Sequence, residues 1–322
     1  MTDRLMVTVD YEVFGNGRGC VDACVVEPAQ HLLELAQDRS VPLTLFVEAT
    51  EFAAMDRAGI PAVGRVKDQL RRAVDAGHDL GLHIHPQWWR APYNGRWAVL
   101  PERRIADLPP ERIRALLEEG ISWIQSVVPD WSCTVFRAGA LSIQPSNSVT
   151  EALLEFGIQV DSSVAPGRFV SGQSWFDFRQ VPDRCWWRID GDVCVEGTGP
   201  MIEVPIATGA ISARTDFASI LKSRGLRNPP GCRRGPRVPP VLEVSSRFAG
   251  LGRVMLDFCR HDGDRLTEIA AQWCARGGVG TPVVAIGHTK NTTDHALENL
   301  GAFIDRSRAA GIQPGTFGDW LG

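Results

Sequence analysis

The stretch GHDLGLHIHPQWW, residues Gly77 to Trp89, puts two of the chain's 7 histidines on alternate positions of a predicted short strand. Alternate strand residues point to the same face, so His83 and His85 project side by side. Two neutral imidazoles on one face are a means of chelating an ion of the zinc class. A packed or surface pair is the plainer reading of so short a spacing, and the surrounding pattern has to choose between them.

Working outward, strand and helix patterns alternate on both sides of this stretch. RLMVTVDYE (4–12) and VPLTLFVEAT (41–50) read as buried strands, and EPAQHLLELAQDRS (27–40) and VGRVKDQLRRAVDAG (63–77) have helical spacing. After it come the helix PPERIRALLEEGISWIQSVV (109–128), the strand CTVFRAG (133–139) and the helix SVTEALLEFG (148–157). That last helix is predicted to open on a Ser148-x-x-Glu151 capping box. RVMLDFCR (253–260), DRLTEIAAQWCARGG (264–278), TPVVAIGHTKN (281–291) and TDHALENLGAFIDRSRAAG (293–311) repeat the alternation. Such alternation implies parallel strands with helices outside them. The middle departs from it: Asp190-Gly191 in WWRIDGDVCVEG is a hairpin signal, and LRNPPGCRRGPRVPP (226–240) reads as an irregular surface loop. About 165–252 is therefore expected to elaborate a single domain spanning 1–322.

Composition narrows the function. A net charge of −4 argues against nucleic acid as main partner, and no run reaches the roughly 20 apolar residues of a membrane span. The opening MTDRLMVTVDYE lacks a basic segment followed by an apolar one, so the expectation is a cytoplasmic protein with reduced thiols. The 8 cysteines are scattered, and Cys20 and Cys24 have no partner pair at zinc-finger spacing. Nearly all the basic residues are arginine; the lysines are Lys67, Lys222 and Lys290.

In parallel α/β folds ligands bind at the carboxyl ends of the strands. The polar residues predicted there are Asp10 and Glu12, His83 and His85, Arg137, Asp161 and His288. Three carboxylates, three histidines and an arginine converge on one mouth if the strands curl into a barrel. Trp88, Trp89, Trp186 and Trp187 are candidate stacking platforms for a sugar ring, against core packing as the alternative. His261, following Asp257, is an outside candidate as ligand or acid, while His78, His31 and His295 read as structural or solvated.

The chain resembles the polysaccharide deacetylases, the NodB-homology group of carbohydrate esterases. VTVDYEVF stands where that family has T-F-D-D-G, and GHDLGLHIHP is similar to its second, His-containing motif. FRAGALSI, VDSSVAPG and VVAIGHTKN follow in the family's order, from Asp10 to His288 over nearly the whole chain. The resemblance implies a distorted, incomplete (β/α) barrel with an inserted hairpin and loop region. It also implies a divalent metal hydrolase, most simply a zinc enzyme, that removes an acetyl group from an acetylated sugar. The matching position makes Asp10 the base; Arg137 is expected to hold it ionised and His288 to protonate the leaving group, while Trp88, Trp89 and Asp161 are candidate substrate contacts. The family's second aspartate is Tyr11 here and its second histidine falls on Gln87, so Glu12 and His85 are the natural replacements beside His83 as metal ligands. Backbone N–H groups near Gly139 and Ala140 are implied for the developing oxyanion. Two rivals stand beside this reading: an amidohydrolase acting on a non-sugar amide, and a binding protein whose altered motifs mark a dead site. The sequence does not specify the sugar or the oligomeric state.

Overall fold

The computed structural model of the protein describes residues 2–210 and 252–322. The first strands are β1 (Arg4–Tyr11), β2 (Leu43–Glu48), β3 (Asp79–Ile84), β4 (Val135–Ala138) and β5 (Val160–Asp161). Next come β6 (Phe169–Val170), β7 (Phe176–Asp177), β8 (Trp187–Ile189) and β9 (Met201–Glu203). The last are β10 (Thr208–Ala210), β11 (Arg253–Met255), β12 (Pro282–His288) and β13 (Gln313–Pro314). The first helices are α1 (Glu27–Asp38), α2 (Ala49–Arg57), α3 (Ala62–Asp75) and α4 (Pro110–Val127). They are followed by α5 (Asn147–Glu155), α6 (Gly263–Cys274), α7 (Asp294–Ala309) and α8 (Phe317–Leu321).

The main sheet runs β12-β1-β2-β3-β4-β5-β9-β8, and β13 also pairs with β1. All its pairings are parallel except β8 with β9. β2 is buried along its whole length and β1 at every position but Arg4, because helices cover one face and the curled sheet encloses the other. The helices meet this core along apolar stripes: α3 buries Ala62, Val63, Val66, Gln69, Leu70 and Ala73, one face of a helix, and stops before Gly77 at φ +87°.

The sheet curls until its far edge approaches β12, where no regular ladder forms. Isolated contacts bridge the seam instead: Ile206 forms a single parallel bridge to Val284, with Ala207 N–H donating to Val284 O at 3.0 Å. Beside them Phe258 N–H donates to Ile286 O at 3.0 Å, and Ile286 N–H to Leu256 O at 2.9 Å. This is the expected distorted, incomplete (β/α) barrel.

Three local expectations are corrected. α5 begins at Asn147, so Ser148 lies inside it and forms no cap; Ser146 precedes it, its hydroxyl donating to Gly191 O at 3.1 Å and accepting from Val193 N–H at 2.9 Å. β8 pairs antiparallel with Met201–Glu203 and not with the VCVEG run, so the connection from Asp190 is longer than a tight turn. Arg253–Met255 joins Thr208–Ala210 in an antiparallel pair, and the barrel is reached just after it, where Leu256 and Phe258 bond Ile286 around the Asp257–Ile286 bridge. Of the predicted elaboration, residues 211–251, including the Pro/Arg-rich run, lie outside the described residues. No helix among the described residues is long and apolar enough to cross a membrane.

Candidate metal centre and active site

The register of the parallel strands brings the polar ends together. Asp10 is level with His288, Glu48 with His83, and His83 with Arg137. Because β1 alternates faces, Asp10 and Glu12 share the inner side while Tyr11 points away and donates to Gln69 Oε1 at 2.8 Å.

Asp10 lies between the Arg137 guanidinium and the His288 imidazole. Arg137 Nη1 is 2.8 Å from Asp10 Oδ1, and His288 Nε2 is 3.4 Å from Oδ2. Arg137 is wholly buried and also donates to Thr8 Oγ1 (3.0 Å), Ser162 O (3.0 Å) and Ser162 Oγ (3.2 Å), with its guanidinium 3.9 Å above the Phe46 ring. Burial alone would raise the Asp10 carboxyl, but Arg137, then His83 and His288, hold it below the ordinary range. His288 is pushed down to about 4, chiefly by burial, and is neutral near pH 7.

Glu12 meets the two imidazoles of β3. Its Oε2 lies 3.0 Å from His85 Nε2 and 3.9 Å from His83 Nε2, and the rings stand 84° apart with centroids 4.9 Å from one another. His83 Nδ1 is 2.8 Å from Arg137 O; a carbonyl only accepts, so the proton sits on Nδ1 and Nε2 carries a lone pair. That Nε2 and Glu12 Oε2 are both buried without a hydrogen bond. Two facing acceptors with no proton between them are unfavourable unless a cation joins them. Among the described residues, Glu12/His83/His85 and Asp10/Glu12/His288 each gather their ligand atoms within 4.8 Å. The donor set of two imidazoles and a carboxylate fits a zinc-class ion.

The surroundings hold these ligands in place. Gln87 Nε2 lies 3.1 Å from His85 Nδ1 and donates to Gly15 O at 3.3 Å, while its Oε1 is buried without a partner. Turning the amide over would offer Oε1 to His85 Nδ1–H and free Nε2 for an ion, at the cost of the Gly15 contact. Gly139 leaves room for His85: a Cβ there would lie 2.6 Å from the ring and from Ile84 O. Ala140 and Leu141 follow in left-handed conformations, φ 54° and 57°, so the backbone implied for an oxyanion abuts the site.

Three carboxylates and one lysine belong to the neighbourhood without having been singled out in the sequence. Glu48 ends β2, accepts from His85 N–H at 2.8 Å and from the Thr50 hydroxyl at 2.5 Å, and is pushed up to about 7 mainly by burial. Glu51 is wholly buried and accepts from Val13 N–H at 2.8 Å. Glu203 faces Asp161 across β5 and β9; burial, and then Asp161, push it well above the carboxylate range. Lys290 Nζ is 2.5 Å from Glu12 Oε1 and, after burial's opposing effect, is the main group holding Glu12 well below its ordinary value. The strand-end rule that finds Asp10 would also have found Glu48 and Glu203.

Some expected contacts are not made. Asp161 is wholly enclosed, accepting from Ser163 N–H (3.1 Å) and Oγ (2.7 Å), so it braces the end of β4 instead of touching substrate. Trp88 is wholly buried edge-to-face with Trp97 and offers no free face to a sugar; Trp89 is half-buried, with the Arg112 and Arg90 guanidinium groups 4.1 Å and 5.0 Å from its ring. Trp187 is core, and Trp186 lines a cavity of about 290 Å³ with Arg276 and Thr281, at the opposite end of β12 from His288. His261 belongs to neither cluster, and His78 Nδ1 accepts from Leu43 N–H at 3.0 Å, a structural role.

No family model and no curated protein matches the chain in sequence. Its structure does find relatives. A provisionally named polysaccharide deacetylase from Mycobacterium smegmatis superposes with a TM-score of 0.55 at 15% identity, over 99% of this chain and 88% of that one. The chain has the polysaccharide deacetylase fold. Two further similar structures are a family 4 carbohydrate esterase from Streptomyces lividans in complex with acetate and a CE4 family pseudoenzyme from Bacillus anthracis. The former has a TM-score of 0.46 at 9% identity over 98% of this chain and 92% of that one. The latter has 0.48 at 12% over 100% and 66%. Within the deacetylase fold, the resemblance read from the ordered motifs is met at the level of architecture.

Proposed function

We propose that the protein is a metal-dependent hydrolase that removes an acetyl group from an acetylated amino sugar in a glycan or glycosylated-metabolite precursor, acting as a single domain in the cytoplasm. One observation carries the reading: the orphaned Glu12 Oε2 and His83 Nε2 converge with His85 beside the buried Asp10–Arg137 pair.

Glu12, His83 and His85 would hold the ion, for which zinc is the proposed identity. When bound, such an ion supplies Lewis acidity to the acetyl carbonyl and to the attacking water. Arg137 keeps Asp10 ionised and fixes its Oδ1, leaving Oδ2 to accept the water proton. His288 is neutral before reaction, so it donates only after receiving a proton; its Nε2 lies 3.4 Å from Asp10 Oδ2. The transferred proton then goes to the amide nitrogen as the C–N bond breaks. Overall, hydroxide joins the acetyl carbon and the proton joins the leaving amine, giving acetic acid and the amino sugar, which at neutral pH leave as acetate and the protonated amine. Backbone N–H groups at Gly139 and Ala140 would receive the developing oxyanion, a role supported by the close approach of Gly139 to the His85 ring.

Acetate release from small N-acetylated sugars by zinc-loaded protein, lost in Asp10→Asn, tests the proposal. Release from formyl or cyclic amides alone would reassign the substrate class, and no release with any substrate would leave a binding protein.

A further inference from the structure

Lys290 is one of three lysines in the chain, and its side chain is only 14% exposed. The 3₁₀ turn Thr289–Asn291 at the end of β12 folds it back over the site. There Thr289 Oγ1 accepts from Glu12 N–H at 3.3 Å and donates to Glu12 O at 3.2 Å, while Lys290 Nζ takes Glu12 Oε1 at 2.5 Å. The ammonium also reaches Val13 O at 3.4 Å.

This arrangement has two physical consequences for an ion held by Glu12. Oε1 is committed to the ammonium, so only Oε2 faces the imidazoles. A fixed positive charge also stands one carboxylate away from a dication, in surroundings too buried for water and salt to screen well. Without the lysine, Glu12 could offer both oxygens to an ion and the repulsion would vanish. We propose that Lys290 is a positioning residue that limits Glu12 to one-oxygen ligation and keeps the metal affinity of the Glu12–His83–His85 site low. The proposal rests on the reading of that cluster as a metal site.

The test is zinc titration of metal-free protein at pH 8 against a chromophoric chelator, where proton competition for the ligands is small. Lys290→Met binds zinc at least tenfold more tightly than wild type, Lys290→Arg stays within threefold of it, and Lys67→Met, which removes a lysine paired with Asp56, changes nothing. Cobalt(II) supplies a second readout. The intense visible bands of a four-coordinate ion weaken in Lys290→Met as Oε1 joins the coordination. Should Lys290→Met fail to fold, Lys290→Gln takes its place in both measurements. Equal or weaker zinc binding by the neutral variants, with an unchanged cobalt spectrum, would overturn the proposal while leaving the metal reading intact. Failure of wild type and all variants alike to bind either ion would overturn both.

Discussion

Replacing Arg137 by Met tests how much of the site's order depends on one buried ion pair. The substitution keeps an apolar stem under Phe46 but leaves Asp10, 3% exposed, as a carboxylate without its guanidinium. Removing one partner of a buried pair costs about 3–5 kcal/mol, against about 0–1 kcal/mol for a surface pair. Arg137 also satisfies Thr8 Oγ1 and Ser162 O, which argues for the upper part of that range. The sign with pH follows from Asp10. In wild type its carboxyl is held below 3.8, so it contributes stability that is present above that pH and lost as pH falls. In Arg137→Met burial is opposed only by His83 and His288 and raises the carboxyl, so the variant loses stability as pH rises above 3.8. The gap between the two proteins is therefore widest at pH 7 and narrows toward pH 4. Urea unfolding of the metal-free proteins at both pH values measures it. Asp10→Asn/Arg137→Met, which buries neither charge, recovers most of the loss. A cost under about 1 kcal/mol, or a double variant as unstable as Arg137→Met alone, would refute the reasoning.

Two further outcomes are expected. Glu203 is raised well above 4.5, so the stability it contributes is fully present below that pH and lost as pH rises through its folded value. Glu203→Gln keeps a hydrogen-bonding proton at every pH and flattens the decline by up to about 1.4 kcal/mol per pH unit, read from unfolding free energies between pH 5 and 8; parallel curves would exclude a proton held at this site. Gly139→Ala drives a methyl against the His85 ring and Ile84 O, costing about 1–3 kcal/mol and at least tenfold in zinc affinity by competition titration, whereas wild-type affinity would show that His85 is not held there.

The parts of this molecule that could be read in advance are those where one strand rule suffices. β1 and β3 are apolar runs ending in alternate polar residues, and the parallel register does bring Asp10, Glu12, His83, His85, Arg137 and His288 to one end. Glu48 follows the same rule but sits directly before the α2 start, with no second carboxylate or imidazole two positions away to draw notice. Lys290 escapes any periodicity, because only the 3₁₀ turn after His288 brings it onto Glu12. Asp161 and Trp88 show the opposite failure. Their residue types suit a sugar site, but whether an indole or carboxylate at a strand end faces the mouth or the core depends on the packing of β9 and of the 92–108 loop, which no local spacing encodes. The seam closed by Ile206, Ala207 and Phe258 is likewise built from isolated hydrogen bonds between distant segments.

Everything functional here depends on whether two strands' inward side chains share a cation. Diffraction from zinc-soaked crystals, recorded on both sides of the zinc absorption edge, decides it. The account predicts one anomalous peak per chain, about 2.0–2.2 Å from Glu12 Oε2, His83 Nε2 and His85 Nε2. A map with no peak among these three atoms, or with zinc held only elsewhere on the chain, would contradict it.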